Sequence, residues 1–369
     1  MVGAGIGGLA AAIAAGAAGF QVTVLERADS LQPLGAGLSL WPNAVRSLRS
    51  LGAADWIGRG SAPMGDAGIR RGLDGRLIAA LSPERVMRRY GDPLVLVHRA
   101  QLADALLERV GREGIRLGAE VRSADPSGAV ELASGERLRA DAVIGADGID
   151  SAVRGSIAGG GPARYSGAVA YRAVIEWDRE MPAGEYWGRG EVFGLVPIAD
   201  GRLYWYAAFR EDADTAEPPK GQLARLLERF KAWAYPIPEL IESTPPADLL
   251  RHPLRDRLPD DPWGKGRVTL LGDAAHPMLP FLGQGACCAL EDAVELGRSL
   301  QANADPERAL RDYESRRFGR ARFLVRRSRA AARVALMPER FLGAARDRAL
   351  GWTPEAIRVR QLDRVVGRA

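Results

Sequence analysis

The chain has 369 residues, with 47% hydrophobic and 26% charged content, a net charge of +5 and a sequence pI near 9.4. Those proportions match a soluble globular protein and exclude a disordered or fibrous chain. No apolar run approaches the roughly 18 residues of a transmembrane helix. The start lacks the basic n-region of a signal peptide and runs straight into a glycine loop. Lys220, Lys231 and Lys265 are the only lysines, so the positive charge is nearly all arginine. No aromatic–basic module accompanies it, which argues against nucleic acid. Cys287 and Cys288 are adjacent, about 3.8 Å apart at Cα, too close for an ordinary disulfide. Both read as reduced packing residues of a cytoplasmic protein. His98, His252 and His276 lack zinc-ligand spacing, so no metal is expected.

In chain order, Gly3-Ala4-Gly5-Ile6-Gly7-Gly8 fits G-x-G-x-x-G. Its glycines permit a tight turn, approach of backbone to a pyrophosphate, and close helix–strand packing. Leu9–Gly19 reads as an Ala-rich helix and Gln21–Leu25 as a strand. Glu26, eighteen residues after Gly8, is placed to accept ribose hydroxyls. Only Met1-Val2 precede the loop, where a strand of about 5–6 residues is expected. We expect further apolar residues upstream or a strand stub around Val2.

Ala44–Leu51 reads as a short helix whose Arg46 is either solvated or a cofactor contact. Residues 68–81 alternate around Asp74-Gly75, a hairpin. Val95–Val110 reads as a strand running into a helix opened by Arg99, which on its own reads as a salt-bridging residue at a helix start. Residues 114–141 read as short strands with turns at Pro126-Ser127-Gly128 and Ser134-Gly135. A buried strand then reaches Asp147-Gly148, and Ser151 starts a helical turn ending in Arg154. Residues 164–254 are aromatic-rich and strand-like, with a turn at Asp200-Gly201 and a helix over Gly221–Tyr235. Arg189 and Arg202 lie beside turn glycines and read as water-facing. Val268–Leu271 is a buried strand ending at Gly272-Asp273, a carboxylate placed for a ribose. Pro280–Gly285 bares backbone N–H groups, and the helix Ala286–Leu300 presents its positive end to the same place. The tail is Arg-rich and helical. Arg311–Arg333 should cover the nucleotide domain or an oligomer interface, with membrane-surface contact as the competitor.

GDAAHPMLPFLGQGACCALEDAVEL closely resembles the second flavin motif of the class A FAD-dependent aromatic hydroxylases, the para-hydroxybenzoate hydroxylase-like family. The Asp147-Gly148 stretch resembles the family's DG motif. Together with the N-terminal fingerprint, the motifs stand in family order, and the resemblance runs through about residue 335. It implies an α/β fold: a Rossmann-like FAD-binding domain of GR2 type, an inserted mixed/antiparallel β-sheet substrate domain and a C-terminal helical segment. The corresponding segments are 1–67, 92–160 and 256–335; 68–91 and 161–255; and 336–369.

The resemblance implies FAD and NADH or NADPH as transient reductant. It implies O2 and a planar aromatic or polycyclic small molecule as reactants, with hydroxylation or epoxidation through a flavin C4a-hydroperoxide, in a monomer or homodimer. Leu34–Asn43 resembles the loop under the flavin ring. The implied cofactor-binding residues are Gly3, Gly5, Gly7, Gly8, Glu26, Arg27, Ser39, Arg99, Val121, Asp147, Gly272, Asp273, Gly283, Gln284, Gly285 and Ala286. Catalysis is flavin-borne, with Arg172, Tyr204 and Pro280 as candidates near the ring. Arg172, Phe193 and Tyr204 are the substrate-binding candidates. A reductase or cyclase of the same fold, or a flavin protein that sequesters a ligand without turnover, are the alternatives.

Overall fold

The computed structural model describes residues 1–31, 37–57, 61–62, 67–159, 161–215, 221–260, 262–338 and 340–367. Residues 34–36 of the expected flavin-ring loop lie outside them. The chain opens with helix α1 (Ile6–Ala17) and strand β1 (Val24–Leu25), then β2 (Gly37–Leu40), helix α2 (Pro42–Ser50), and the hairpin β3 (Ala67–Arg71) and β4 (Leu77–Leu81). Helix α3 (Pro83–Tyr90), β5 (Val95–His98), α4 (Arg99–Val110), β6 (Val143–Gly145) and α5 (Ala152–Ile157) follow. Next come β7 (Arg164–Glu176), β8 (Gly184–Trp187), β9 (Glu191–Ile198), β10 (Arg202–Arg210), α6 (Gly221–Phe230), α7 (Ile237–Glu242) and β11 (Leu250–Asp256). Strand β12 (Val268–Leu270) leads to α8 (Gly285–Ala302), α9 (Pro306–Ala335), α10 (Arg340–Trp352), α11 (Glu355–Gln361) and α12 (Asp363–Val366).

A short parallel sheet sits beside the N-terminal glycine loop. Strand β1 pairs with Ile115–Arg116, and β6 pairs with β12. Val2 joins the two pairs, bridging Leu25 on one side and Gly145 on the other. The strand expected before the glycine loop is therefore a stub at Val2, which is 4% exposed. Helices α1 and α8 cross closely over this sheet. A Cβ on Gly297 would stand 2.9 Å from that of Ala14, so small residues set the crossing distance.

The second sheet has seven strands, in the order β11-β7-β10-β9-β8-β3-β4, antiparallel except where β8 meets β3. Its alternation separates two faces. Leu203, Trp205, Ala207 and Phe209 point outward into a core with Phe193 of β9 and with Phe230, Leu226, Ile237 and Leu240 of α6 and α7. Ala168, Ala170, Val192 and Ala208 point inward, against Leu279 and the α9 residues Ala332 and Ala335. Phe193 belongs to the outer set, fully buried and stacked on Trp205 at 5.2 Å between centroids. The expectation that it meets substrate is corrected: strand parity turns it away from the cleft.

Helix α3 is not among the sequence-predicted elements, although its signals are local. Ser82 caps it by accepting from Arg85 N, Pro83 opens it, and Gly91 closes it in the left-handed region at φ 74°. It is held by the tail: Tyr90 Oη donates to Val359 O at 2.7 Å, and Arg89 pairs with Asp363. Arg46, expected either in solvent or on cofactor, instead donates to Tyr90 O and Val366 O. Within α9, Arg311, Arg316, Arg317, Arg320 and Arg329 all pair with acidic groups. No described helix is long and apolar enough to cross a membrane. Removing the Phe193 ring leaves a cavity among aromatics, so Phe193→Ala should cost about 3–5 kcal/mol of unfolding free energy, read as a lower urea midpoint. A near-zero cost would return Phe193 to an open face.

Candidate functional site

The glycine fingerprint divides into packing glycines and an open one. A Cβ on Gly8 would lie 1.9 Å from Gly3 O, one on Gly3 2.6 Å from Ala146 O, and one on Gly7 2.8 Å from Leu271 Cδ2. A Cβ on Gly5 would meet nothing within 4 Å. Gly3 also needs the left-handed region, at φ 96°. The backbone at Gly5 thus faces an open cleft at the N-terminus of α1, which no side chain caps. Glu26 closes this end: its carboxylate accepts from Ala4 N at 2.8 Å and Ala28 N at 3.0 Å. Arg27 beside it is exposed. Val121 is buried in the core, in a strand paired with residues 129–132.

The two acidic motifs meet at the far ends of β6 and β12. Asp147 accepts from Ser151 Oγ at 2.5 Å and Val153 N at 3.2 Å. Ser151 in turn caps α5 through Arg154 N. Arg154, 2% exposed, donates to Ala274 O at 3.3 Å and pairs with Asp260. One buried guanidinium therefore ties the Asp147 turn to the Asp273 turn, a link between residues 120 positions apart that spacing alone does not reveal. Asp273 lies at the cleft, where the surrounding protein strips water from its carboxyl and raises it above the ordinary carboxylate value, against the opposing charges of His276 and Arg99. Arg99, first residue of α4, is likewise exposed.

Gly272 and Gly283 sit in the left-handed region at φ 61° and 59°. Pro280 is exposed at the head of a short turn, and Ser39 lies half-buried across the way in β2, its carbonyl facing Cys287 Sγ at 3.6 Å. Gly285 and Ala286 begin α8 without a side-chain cap, and a Cβ on Gly285 would enter open space. Gln284 is fully buried; its Oε1 accepts from Asn43 at 3.0 Å while its Nε2 has no partner.

Beneath this loop lies a buried charge network, of which sequence reading found only Gln284. Asp292 accepts from Gly272 N at 3.1 Å, contacts His276 Nε2 at 2.5 Å, and accepts from Arg317 Nε at 2.6 Å. Arg317 and Arg320 also bind Glu291, which takes a 2.6 Å bond from Asn43. Burial opposes the Asp292 charge, but His276 and Arg317 outweigh it and bring the carboxyl to about 2. Burial likewise opposes the His276 charge, yet Cys288 and Asp292 hold its imidazole well above its usual value. His276, Cys288 and Asp292 offer ligand atoms within 4.8 Å of one another. The Arg317 guanidinium stands where a cation would, 3.3 Å from Cys288 Sγ. Cys287 is a packing residue whose thiol burial pushes up to about 12; Cys288 belongs to the charge network.

The inner face of the seven-stranded sheet roofs the cleft. Arg172 pairs with Tyr206 and Val174 with Tyr204 in register, while Ala170 pairs with His252. Tyr204 lies against Gly37, where a Cβ would come within 2.4 Å of its ring, and Tyr206 covers Gly194 in the same way at 2.1 Å. The rings stand 5.7 Å apart. Glu185, missed in the sequence, accepts from Tyr206 Oη and from Trp187 Nε1 at 2.9 Å. Burial, then Arg172 and Arg99, push His252 toward its neutral form. Arg202, expected in water, pairs with Asp200 at 3.1 Å and acts on His98. A cavity of about 600 Å³ opens at the turn end of this sheet among Trp177, Met181, Pro197 and Arg202, away from the motif glycines and acids.

Comparison with known proteins agrees with this geometry. The sequence profile described as "FAD binding domain" matches residues 1–328. The chain is 38% identical over 331 residues to an aurachin C monooxygenase/isomerase of Stigmatella aurantiaca, covering 88% of this chain and 86% of that one. It is 34% identical over 337 residues to an FAD-dependent urate hydroxylase of Klebsiella pneumoniae, covering 89% and 88%. The crystal structure of Klebsiella pneumoniae HpxO complexed with FAD and uric acid superposes with a TM-score of 0.92 at 31% identity, covering 99% of this chain and 95% of that one.

The residues present fit FAD. Open cradles at Gly5 and Gly285, the Glu26 carboxylate at one end and the partnerless Gln284 Nε2 near the other suit a long, partly anionic, hydrogen-bonding ligand. The contrast between glycines is testable. Gly8→Ala should destabilise the fold by about 1–3 kcal/mol or more, whereas Gly5→Ala should melt as the wild type does and emerge from purification with reduced FAD absorbance. Equal effects of the two would contradict it. The His276 contribution has a definite sign with pH. A raised imidazolium stabilises fully below the ordinary value of 6.5 and loses its effect as pH rises through the raised one. His276→Gln should therefore cost about 3 kcal/mol near pH 6, with the gap in melting temperature closing on the alkaline side. A gap that widens with pH would show that His276 is held neutral.

Proposed function

This chain belongs to the FAD-binding class A flavin monooxygenases, and from that premise we propose that it oxygenates a largely neutral, planar aromatic or polycyclic molecule, with NADH or NADPH as reductant. It is an enzyme, an FAD-dependent monooxygenase of a small-molecule substrate. Bound in this cleft, FAD supplies the reduction of dioxygen and the transfer of one oxygen atom. The chain supplies binding, orientation and exclusion of water.

In this reading Glu26 and the Gly5 backbone hold the adenosine and pyrophosphate end, and Asp147, Asp273 and Arg99 hold the middle. The backbone of residues 283–286 faces the ring, with Pro280 shaping that edge. Tyr204 forms the aromatic wall over the reacting face. Burial raises its phenol above the usual value, so it stays protonated and can donate a hydrogen bond. Its hydroxyl has no hydrogen-bond partner among the described residues and is free to orient a substrate oxygen or nitrogen.

The observation that carries the substrate class is the charge balance of the inner face. Arg172 and Glu185 both act on Tyr206 from opposite signs, after burial. Glu185 is taken up by Tyr206 and Trp187 and pairs with no arginine among the described residues, so a carboxylate on this face meets its repulsion as well as Arg172 and gives up hydration worth several kcal/mol. A neutral ring on the tyrosine wall gains about 0.5–1.5 kcal/mol beyond its buried area. Urate hydroxylases are among its relatives, and so is a 3-amino-4-hydroxybenzoate 2-monooxygenase of Streptomyces cremeus, 35% identical over 350 residues, so the substrate test includes benzoates.

The test sets benzoates against larger neutral phenols and heteroaromatics, following NAD(P)H oxidation and uptake of one ¹⁸O from ¹⁸O₂ into product. Neutral rings should couple efficiently, and Tyr204→Ala should raise their KM about tenfold. Efficient oxygenation of a benzoate that Arg172→Ala abolishes would overturn the neutral reading and make Arg172 a carboxylate clamp.

A further inference from the structure

A second cavity, about 140 Å³, lies between the inner edge of the large sheet and α9. Its charged lining is Arg164, Arg210, Arg329 and Arg333, joined by Ser166 and by Leu279 and Phe281. Four guanidiniums around so small a space need anions, and the protein furnishes one. Asp256, fully buried, accepts two bonds from Arg329 at 2.6 and 3.1 Å and two from Arg164 at 3.0 and 3.2 Å. That uses the capacity of one carboxylate. Arg210 and Arg333 have no acidic partner among the described residues, and both are exposed at the mouth. The pocket therefore carries about three uncompensated positive charges.

Two further features point to a ligand. Ser166 Oγ is buried without a hydrogen-bond partner, which a folded protein tolerates poorly. The strand is also opened there. The β7–β11 register shifts between Tyr165 and Val169, and Gly167 takes φ 79° with open space where a Cβ would stand. A cavity of this size holds the volume of a few waters, at about 30 Å³ each. That suits a phosphate group and not a nucleoside. A carboxylate would be matched by one guanidinium fork, whereas a phosphate with several terminal oxygens uses several forks and a hydroxyl.

We propose that this pocket anchors a phosphate group of the pyridine nucleotide while its ring reaches the cleft. Leu279 and Phe281 border Pro280, so the pocket adjoins the loop assigned to the flavin ring. The chain has no second G-x-G-x-x-G fingerprint for a pyridine nucleotide, and a cationic pocket beside the cleft supplies the anchoring that a fingerprint would. The inference rests on the monooxygenase reading only in needing a reductant; it does not depend on the substrate.

The experiment is calorimetric titration of the purified FAD-containing protein with 2′,5′-ADP, ADP-ribose and inorganic phosphate. Wild type is compared with Arg210→Glu/Arg333→Glu and with Arg210→Lys/Arg333→Lys. The reversal should weaken 2′,5′-ADP about tenfold or more if the pocket reads the 2′-phosphate of NADPH, or ADP-ribose by as much if it reads the pyrophosphate. The lysine variant should retain most of the binding, and FAD content should not change. Unchanged binding of both nucleotides, or a loss confined to inorganic phosphate, would overturn the proposal. Titration needs neither substrate nor turnover, so a failed substrate assay leaves this result standing on its own.

Discussion

The Asp292 carboxylate is the constraint on which the rest of the cleft depends. It is fully buried, and its two oxygens serve Gly272 N, His276 and Arg317. A buried charge is tolerated only when its partners are in place, so α8, α9 and the turn after β12 must adopt one relative arrangement. That arrangement aims Asp273 and the start of α8 into the same cleft. Arg154 then fixes the Asp147 turn to it through Ala274 O. The flavin-site motifs are thus rigid relative to each other because charges beneath them leave no other satisfied geometry.

The large sheet solves a different problem. Its outer face buries Trp205, Phe193 and Phe209 against α6 and α7 and acts as ordinary core. Its inner face is core in part, where Ala168, Ala170 and Ala208 meet Leu279 and α9, and elsewhere roofs the cleft. Glycines give it shape: Gly37 seats Tyr204 and Gly194 seats Tyr206. Both tyrosines lie flat because no Cβ stands beneath them, and the charges of Arg172 and Glu185 flank them.

The arginine content, which from composition alone invites readings in terms of nucleic acid or membrane, has mostly internal uses. Arg317 and Arg320 neutralise Glu291 and Asp292, Arg46 and Arg89 fasten the tail to α3 and its flank, and Arg154 joins two motifs. Guanidinium suits this work because its fork stays charged when buried and satisfies several acceptors at once. Arg210 and Arg333, at the mouth of the α9 pocket, have no acidic partner among the described residues.

The sequence by itself determined the order of motifs, the βα units and the carboxylates at strand ends. Those signals are local: a glycine that must take positive φ, an acid after a strand, a helix after a bare loop. Even the short strand at Val2 and the Ser151 turn could be read that way, as could α3 from Ser82, Pro83 and Gly91. Which aromatic residues face the cleft was decided by tertiary structure. Tyr204 and Phe193 look alike in sequence, and only the register of β9 against β10 places them on opposite faces. The partners of buried charges were decided there too. Asn43 meets Gln284 across 241 positions and Arg154 meets Ala274 across 120, and such contacts follow from how sheets and helices stack, which no spacing rule along the chain encodes.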